Sequence, residues 1–484
     1  MISKNLDSLN LDGFPIVIFG SGPAGMSTAL ELEKKDINSL IVEAGDEYFS
    51  KNSQEFYKGE IIGDPLLDLS ASRLRQLGGS SGHWGGMSKP FEDYTFENWP
   101  IKSDELKPYL EKTCKILNIN NQFRKAPLGE YINQVEYQWS KVRFANKYKD
   151  HIKKSKKITL VLNTQLLHLV GDNNTTKYAE CISGQVKKKI KAKYFILACG
   201  GIENSRLLLW TKVKNNGFIN QKLPIGKYWM NHHHIFAGRA VLSRKKLKEK
   251  MKNNFLGYDN LMHFSTSKKL MKKKGISSAT VYMLTQNVFW KDKIIDKEVL
   301  EDILCVAPKY GKKLAKMLAS KDLECENIRL ILEQEPIENN KITLDDKKDK
   351  FEIPKVRLIY KKNIHTIRTA KLFLEEFANL CRNDDLGRVA IKNNIVDLED
   401  FDLVGDGGHH MGGTRMGTDK NKSVVDNNLK VHDINNLYIG GSSNFVTGGY
   451  TNPTLTIIQF SIRLAEKISE RLNADDLGLM SYSP

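Results

Sequence analysis

Three glycines and one carboxylate near the start of the chain have the spacing that phosphate binding requires. Gly20, Gly22 and Gly25 stand in GSGPAG, and Glu43 follows 23 residues after Gly20. Gly20 permits a tight turn, Gly22 lets backbone approach a pyrophosphate, and Gly25 lets a helix lie close on a strand. N–H groups at the start of that helix offer donors and positive potential to the phosphates. A carboxylate at Glu43 suits a free ribose 2′-hydroxyl. The elements that must hold these residues flank them. PIVIF is a β-branched run of strand length, AGMSTALELEKK reads as a helix, and SLIVEAG is a second strand that reaches Glu43. Strand, glycine loop, helix and strand in that order predict a dinucleotide site.

The motif alone does not separate FAD from NAD. Three later segments do. RQLGGSSGHWGGMSKPF holds Gly78, Gly79, Ser80, His83 and Trp84 and is too rich in glycine and serine for a regular element. AKYFILACGGIENSRLLLW is a second strand, turn and helix, with Gly200 at the turn. NNLYIGGSSNFVTGGYTNPTLTIIQF supplies a third strand, the turn at Gly440 and Gly441, and a terminal helix near Thr454. An extended cofactor met by N-terminal, middle and C-terminal segments suits FAD. An NAD dehydrogenase keeps its nucleotide within one continuous domain.

Taken in order, GSGPAG, GGSSGHWGG, ACGGIENSRLLL, HHMGGTRMG and GGYTNPTLT resemble the glucose–methanol–choline (GMC) oxidoreductases, and within them the branch containing pyranose 2-oxidase. The flavin-binding parts carry the resemblance; residues 240–390 match it only loosely. It implies an α/β fold: a Rossmann-like FAD-binding domain plus a substrate-binding domain with a mixed or antiparallel sheet backed by helices. It implies oxidation of an alcohol by hydride transfer to flavin N5, with a sugar, glycoside or polyol as substrate. The family's histidine, four positions before the threonine, falls on His410, and its partner falls on Asn452, 42 residues later. An imidazole suits removal of the hydroxyl proton, and Asn452 can orient the same hydroxyl. Other readings stand beside these. His409 and His410 point in different directions in most backbones, so one of them can be purely structural. Asn452 before Pro453 also has the form of a helix N-cap followed by proline at the first position. His83 matches a position that carries FAD covalently in the pyranose 2-oxidase branch, although Gly82 departs from the pattern; otherwise it packs near the isoalloxazine. The N-terminus of the last helix is expected to face the flavin pyrimidine.

At the scale of the chain, 484 residues predict two domains. The FAD-binding domain is expected in 12–110, 155–235 and 395–484, and the substrate-binding domain in 111–154 and 236–394. In the latter, ENIRLILEQEP, NKITLDD and KVRLIY read as strands and IHTIRTAKLFLEEFANLCR as a long amphipathic helix. Gln334 is a cleft-facing candidate, since EQEP lies on a strand that resembles the family's cleft-facing one, but it is read as an ordinary strand residue. The run WMNHHH, residues 229–234, is structural or cleft-lining, because consecutive histidines diverge and ligand spacings such as H-x-x-x-H are missing; no metal is expected. The net charge of +17 reads as a lysine-rich solvated surface, since no nucleic-acid motif accompanies it. The six scattered cysteines form no Cys-x-x-Cys pair. With a polar N-terminus and no long apolar run, they point to a cytoplasmic protein without a transmembrane segment. The expected partners are the sugar or polyol, an acceptor (oxygen, a quinone or a redox protein) and a second copy in a homo-oligomer; no nucleic acid is expected. The competing function is a flavoprotein that does not oxidise alcohols, either an NAD(P)H-linked reductase or a flavin-stabilised binding protein. A reductase needs a second full nucleotide fingerprint, and none is evident.

Overall fold

The computed structural model describes residues 1–6, 9–243, 246, 249, 250, 262–284, 323–398 and 407–477. Residues 244–245, 247–248 and 251–253 of the lysine-rich run SRKKLKEKMKN, Cys305 and Gly405–Asp406 lie outside them. The short apolar runs become the strands of a six-stranded sheet in the order Ile2–Ser3, Ile158–Val161, Ser39–Val42, Ile16–Phe19, Tyr194–Leu197, Leu437–Ile439. Every neighbouring pair is parallel. The strands IVIF, SLIV and YFIL are buried along their whole length, as a sheet covered on both faces requires. Helix Pro23–Lys34 packs on helix Thr454–Asp476, so the first and last helices share one core. The chain leaves Ile16–Phe19 toward Ser39–Val42 on one side and returns beside it as Tyr194–Leu197 on the other. That reversal opens a crevice at the carboxyl ends of the two strands, where such sheets bind ligands.

A second sheet has seven strands, all antiparallel: Gly387–Ile391, His233–Ser243, Leu323–Leu332, Ala279–Leu284, Met262–Thr266, Ile132–Val135 and Lys125–Pro127. Alternation sets its two faces. Phe264, Val281 and Leu330 point to the long helix Ile364–Asn383 and join Phe373 and Phe377 in a buried cluster. The rings of Phe264 and Phe377 lie 5.3 Å apart. His234, Ile331, Thr280 and Ser265 follow one another in register across the opposite face. The predicted strands and amphipathic helix of the middle region are therefore present. A smaller sheet pairs Lys341–Lys348, Pro354–Tyr360 and Glu60–Gly63.

This small sheet is fixed to the crevice by buried charge. Arg206, on helix Gly200–Lys214, donates to Glu203 at 2.6 Å and to Asp349 at 2.6 Å, and its Nε donates to the carbonyl of Pro354 at 2.7 Å. Arg73 reaches Glu203 at 3.5 Å and donates to the carbonyls of Leu69 and Tyr57. The loop before the GGSSGHW segment is thereby anchored to the same network.

Candidate active site

The glycine loop takes the form its sequence predicts. Gly20 has φ +102°, and a Cβ there would lie 2.4 Å from the carbonyl oxygen of Ala198. A Cβ on Gly25 would lie 1.9 Å from the carbonyl oxygen of Gly20, so helix and strand meet at backbone distance. Gly22 and Gly200 differ: a Cβ on either meets nothing within 4 Å, and both line the cavity. Glu43 is buried. One carboxylate oxygen accepts from the N–H of Ser21 at 3.0 Å and from its hydroxyl at 2.7 Å; the other accepts from the N–H of Gly45 at 2.8 Å. The Ser21 hydroxyl in turn accepts from the N–H of Gly78 at 3.1 Å, which locks the GGSSGHW segment onto the loop.

The cavity that these elements enclose has a volume of about 440 Å³. Its wall comes from the N-terminal loop, the GGSSGHW segment, the turn at Cys199–Gly201, the two histidines and the start of the last helix. Among the expected residues, Gly20, Gly22, Glu43, Gly79, Ser80, His83, Trp84, Gly200, His410, Gly441, Asn452 and Thr454 line it. Gly25, Gly78 and Gly440 stand behind the wall: Gly78 presses on Ala145, and the Gly440 carbonyl accepts from Asn204. Glu43 also borders a second pocket, of about 50 Å³, with Tyr57, Arg75 and Gln165. Open space over two glycines, a carboxylate between two pockets and a helix N-terminus fit an extended dinucleotide. His83 lines the rim with part of its surface open to solvent; the half-buried position of its ring lowers its pKa, partly offset by a hydrogen bond to the Ser72 backbone. Trp84 is fixed by a 2.8 Å bond from its Nε1 to the Val142 carbonyl.

At the far end of the cavity the expected pairing of His410 with Asn452 is not made. His410 Nε2 is 2.8 Å from the Ser72 hydroxyl, its ring lies 5.7 Å from that of Trp229, and its Nδ1 is buried without a partner. Asn452 Nδ2 instead lies 3.2 Å from His409 Nε2. Nor does Asn452 cap the last helix. Pro453 is the boundary residue and no side chain bonds the first turn, while Asn452 Oδ1 is buried with no partner among the described residues. The correction has a simple cause: neighbouring side chains diverge, and only one of two adjacent histidines faces the helix start. Burial lowers the pKa of both histidines, His410 to about 3 and His409 well below its ordinary value. Nearby imidazoles lower His409 further. Both are neutral at pH 7.

Two further side chains contribute to this end of the cavity. Ser72 carried no motif. His232 lay in a run read as merely structural or cleft-lining, yet its Nδ1 is 2.9 Å from His409 Nδ1. His233 turns away to the Tyr360 hydroxyl at 3.2 Å, and His234 comes back, its ring 5.4 Å from that of His409. The period-2 alternation of a strand was the available signal. Gln334 is buried and braces this segment, accepting from the N–H of Asn231 at 3.0 Å. Cys199 half-lines the cavity as a free thiol, and Cys114, Cys181 and Cys381 are free and buried. Among the described residues no helix is long and apolar enough to cross a membrane.

Residues 336–461 match the family model of the GMC oxidoreductases. The chain is 27% identical over 295 residues to 2-methyl-1,2-propanediol dehydrogenase of Mycolicibacterium austroafricanum, which covers 59% of this chain and 50% of that one. It is 41% identical over 70 residues to pyranose 2-oxidase of Lyophyllum shimeji, covering 14% of this chain and 11% of the relative. The chain thus spans half the length or less of these curated relatives. The structure superposes on pyridoxine 4-oxidase from Mesorbium loti with a TM-score of 0.63 at 14% identity, covering 95% of this chain and 99% of the other. The chain has the GMC oxidoreductase fold, and its C-terminal segment carries that family's sequence pattern, in agreement with the motif order.

Proposed function

We propose that the chain is an FAD-dependent oxidoreductase that oxidises a primary or secondary hydroxyl of a sugar, glycoside or polyol to a carbonyl. One observation carries the reading. A neutral histidine and an asparagine meet at one end of a cavity whose other end is built for a dinucleotide. FAD, when bound, supplies the hydride acceptor. Residues 12–110, 155–235 and 395–484 form the FAD-binding part, and 111–154 and 236–394 the substrate part.

The chain's own residues manage the proton. His409 rather than His410 is the acceptor, because its Nε2 faces Asn452. The substrate hydroxyl donates to His409 Nε2 and accepts from Asn452 Nδ2, so the amide turns the hydroxyl toward the base. The orphan Oδ1 of Asn452 is free to accept from a further donor on cofactor or substrate. A pKa held below the ordinary imidazole value keeps His409 unprotonated and ready at neutral pH. His410, tied to Ser72, shapes the wall. The relatives' names agree with a hydroxyl substrate: a diol dehydrogenase and a pyranose oxidase.

Anaerobic stopped-flow reduction of the bound flavin tests the assignment. His409→Asn should slow reduction by about 10²–10⁴-fold, the usual loss on removing a positioned base. His410→Asn should lose distinctly less. The opposite order would return the proton to His410.

A further inference from the structure

Two short segments carry the histidines that meet at the cavity end, and they are clamped together. Met230 and Met411 exchange two backbone bonds, at 2.8 and 2.9 Å, and the N–H of Gly407 donates to the His232 carbonyl at 3.1 Å. The Asn231 side-chain oxygen accepts from the backbone N–H of His232 and from that of His409, both at 2.9 Å. The ring nitrogens then form a line. Gly448 carbonyl, His232 Nε2, His232 Nδ1, His409 Nδ1, His409 Nε2 and Asn452 Nδ2 follow with contacts of 3.3, 2.9 and 3.2 Å between residues.

The protons on that line are decided by its ends. A carbonyl oxygen only accepts, so His232 Nε2 carries the hydrogen that bonds Gly448. Burial lowers the His232 pKa to about 4, so the ring is neutral and its Nδ1 is bare. Two Nδ1 atoms bond only if one bears a proton, and that one is His409. His409 is also neutral, so its Nε2 is bare. The amide of Asn452 donates to that nitrogen. We infer that His232 is a positioning residue: it accepts the Nδ1–H of His409 and holds that ring in the tautomer whose Nε2 receives the substrate proton. The inference rests on the reading of His409 as the proton acceptor.

The consequence is a base backed by a neutral imidazole in place of a carboxylate. Among the described residues, the titratable groups facing His409 are His232 and His234 from the segment entering the large sheet and His410 beside it. Asn452 and Asn231 add only neutral amides. Burial, and after it the three imidazoles, lower the pKa of His409. Once His409 takes a proton on Nε2, its Nδ1–H still has an acceptor, but among the described residues no carboxylate bonds that ring.

The test uses FAD-loaded protein labelled with ¹⁵N in the histidine rings, the His409 signals being those lost in His409→Asn. The wild-type protein should show His409 protonated at Nδ1. His232→Leu should convert it to the other tautomer or a mixture. Flavin reduction by substrate should also slow, by on the order of 10–100-fold, as for loss of a partner that orients a reacting group. His232→Gln, which can accept from His409 and donate to Gly448, should restore both. His232→Asp should move the acid limb of the reduction rate to higher pH, which a merely structural role would not do. A wild-type His409 protonated at Nε2, or a tautomer unchanged by His232→Leu, would overturn the inference. The predicted tautomer in a protein whose flavin no alcohol reduces would defeat the functional reading and leave this one standing.

Discussion

His409 and His410 are adjacent, and both lose charge to burial; their neighbours tell them apart. The bond from Asn452 goes to His409, and the bond near Ser72 belongs to His410. Asn452 makes no helix cap, so Asn452→Ala should leave the melting temperature nearly unchanged while flavin reduction falls by about 10²-fold or more. A variant that melts early and reduces its flavin normally would contradict this. Buried imidazoles also set a pH window for stability. Burial lowers the pKa of His233, His234, His263 and His410 to about 3 and that of His232 to about 4. Unfolded, each titrates near 6.5. Above that pH folded and unfolded states hold equal protons on these groups. Below it the unfolded chain takes up more, so stability is lost as pH falls from about 6.5 toward 4, by at most about 1.4 kcal/mol per unit per group. Urea titrations at pH 7.5, 6 and 5 should show this decline; equal midpoints would contradict it.

At the scale of elements, the glycine loop separates packing from binding. Gly25→Ala drives a Cβ into the Gly20 carbonyl and should destabilise the fold by roughly 1–3 kcal/mol, the usual range for overpacking. Gly22→Val places its side chain in open cavity and should melt like the wild-type apoprotein while losing bound FAD. Thermal scans with absorbance near 450 nm check both. The loop, its strands and its helix were legible because they obey local rules: apolar runs, a fixed glycine spacing and a carboxylate at the strand end. The helix Ile364–Asn383 was legible from its period. The choice between His409 and His410 was not, because the partner lies more than forty residues away and its direction depends on the turn that precedes the last helix. His232 was hidden for the same reason: a run of three histidines has no ligand spacing, and only the bridge between Met230 and Met411 sets one of them against His409.

The molecule as a whole is held across its parts by the Arg73–Glu203–Arg206–Asp349 network. Arg206→Met leaves Asp349 buried without its cation, and breaking a buried pair costs about 3–5 kcal/mol. Urea unfolding should show a loss of that size; a loss near zero would mean that the small sheet is held by its apolar contacts alone. The basic surface is partly neutralised. Lys112 meets Glu31 at 2.7 Å and Glu466 at 2.9 Å, and Lys268 and Lys269 pair with Glu97 and Glu130. Such pairing accords with a solvated face.

Whether the cavity joins a flavin to an alcohol is decided by mixing the purified FAD-loaded protein, without oxygen, with a panel of sugars, glycosides and polyols and following the flavin absorbance. At least one alcohol should bleach the flavin in the wild-type protein and far more slowly in His409→Asn. Bleaching by NAD(P)H alone, with every alcohol inert, would contradict it.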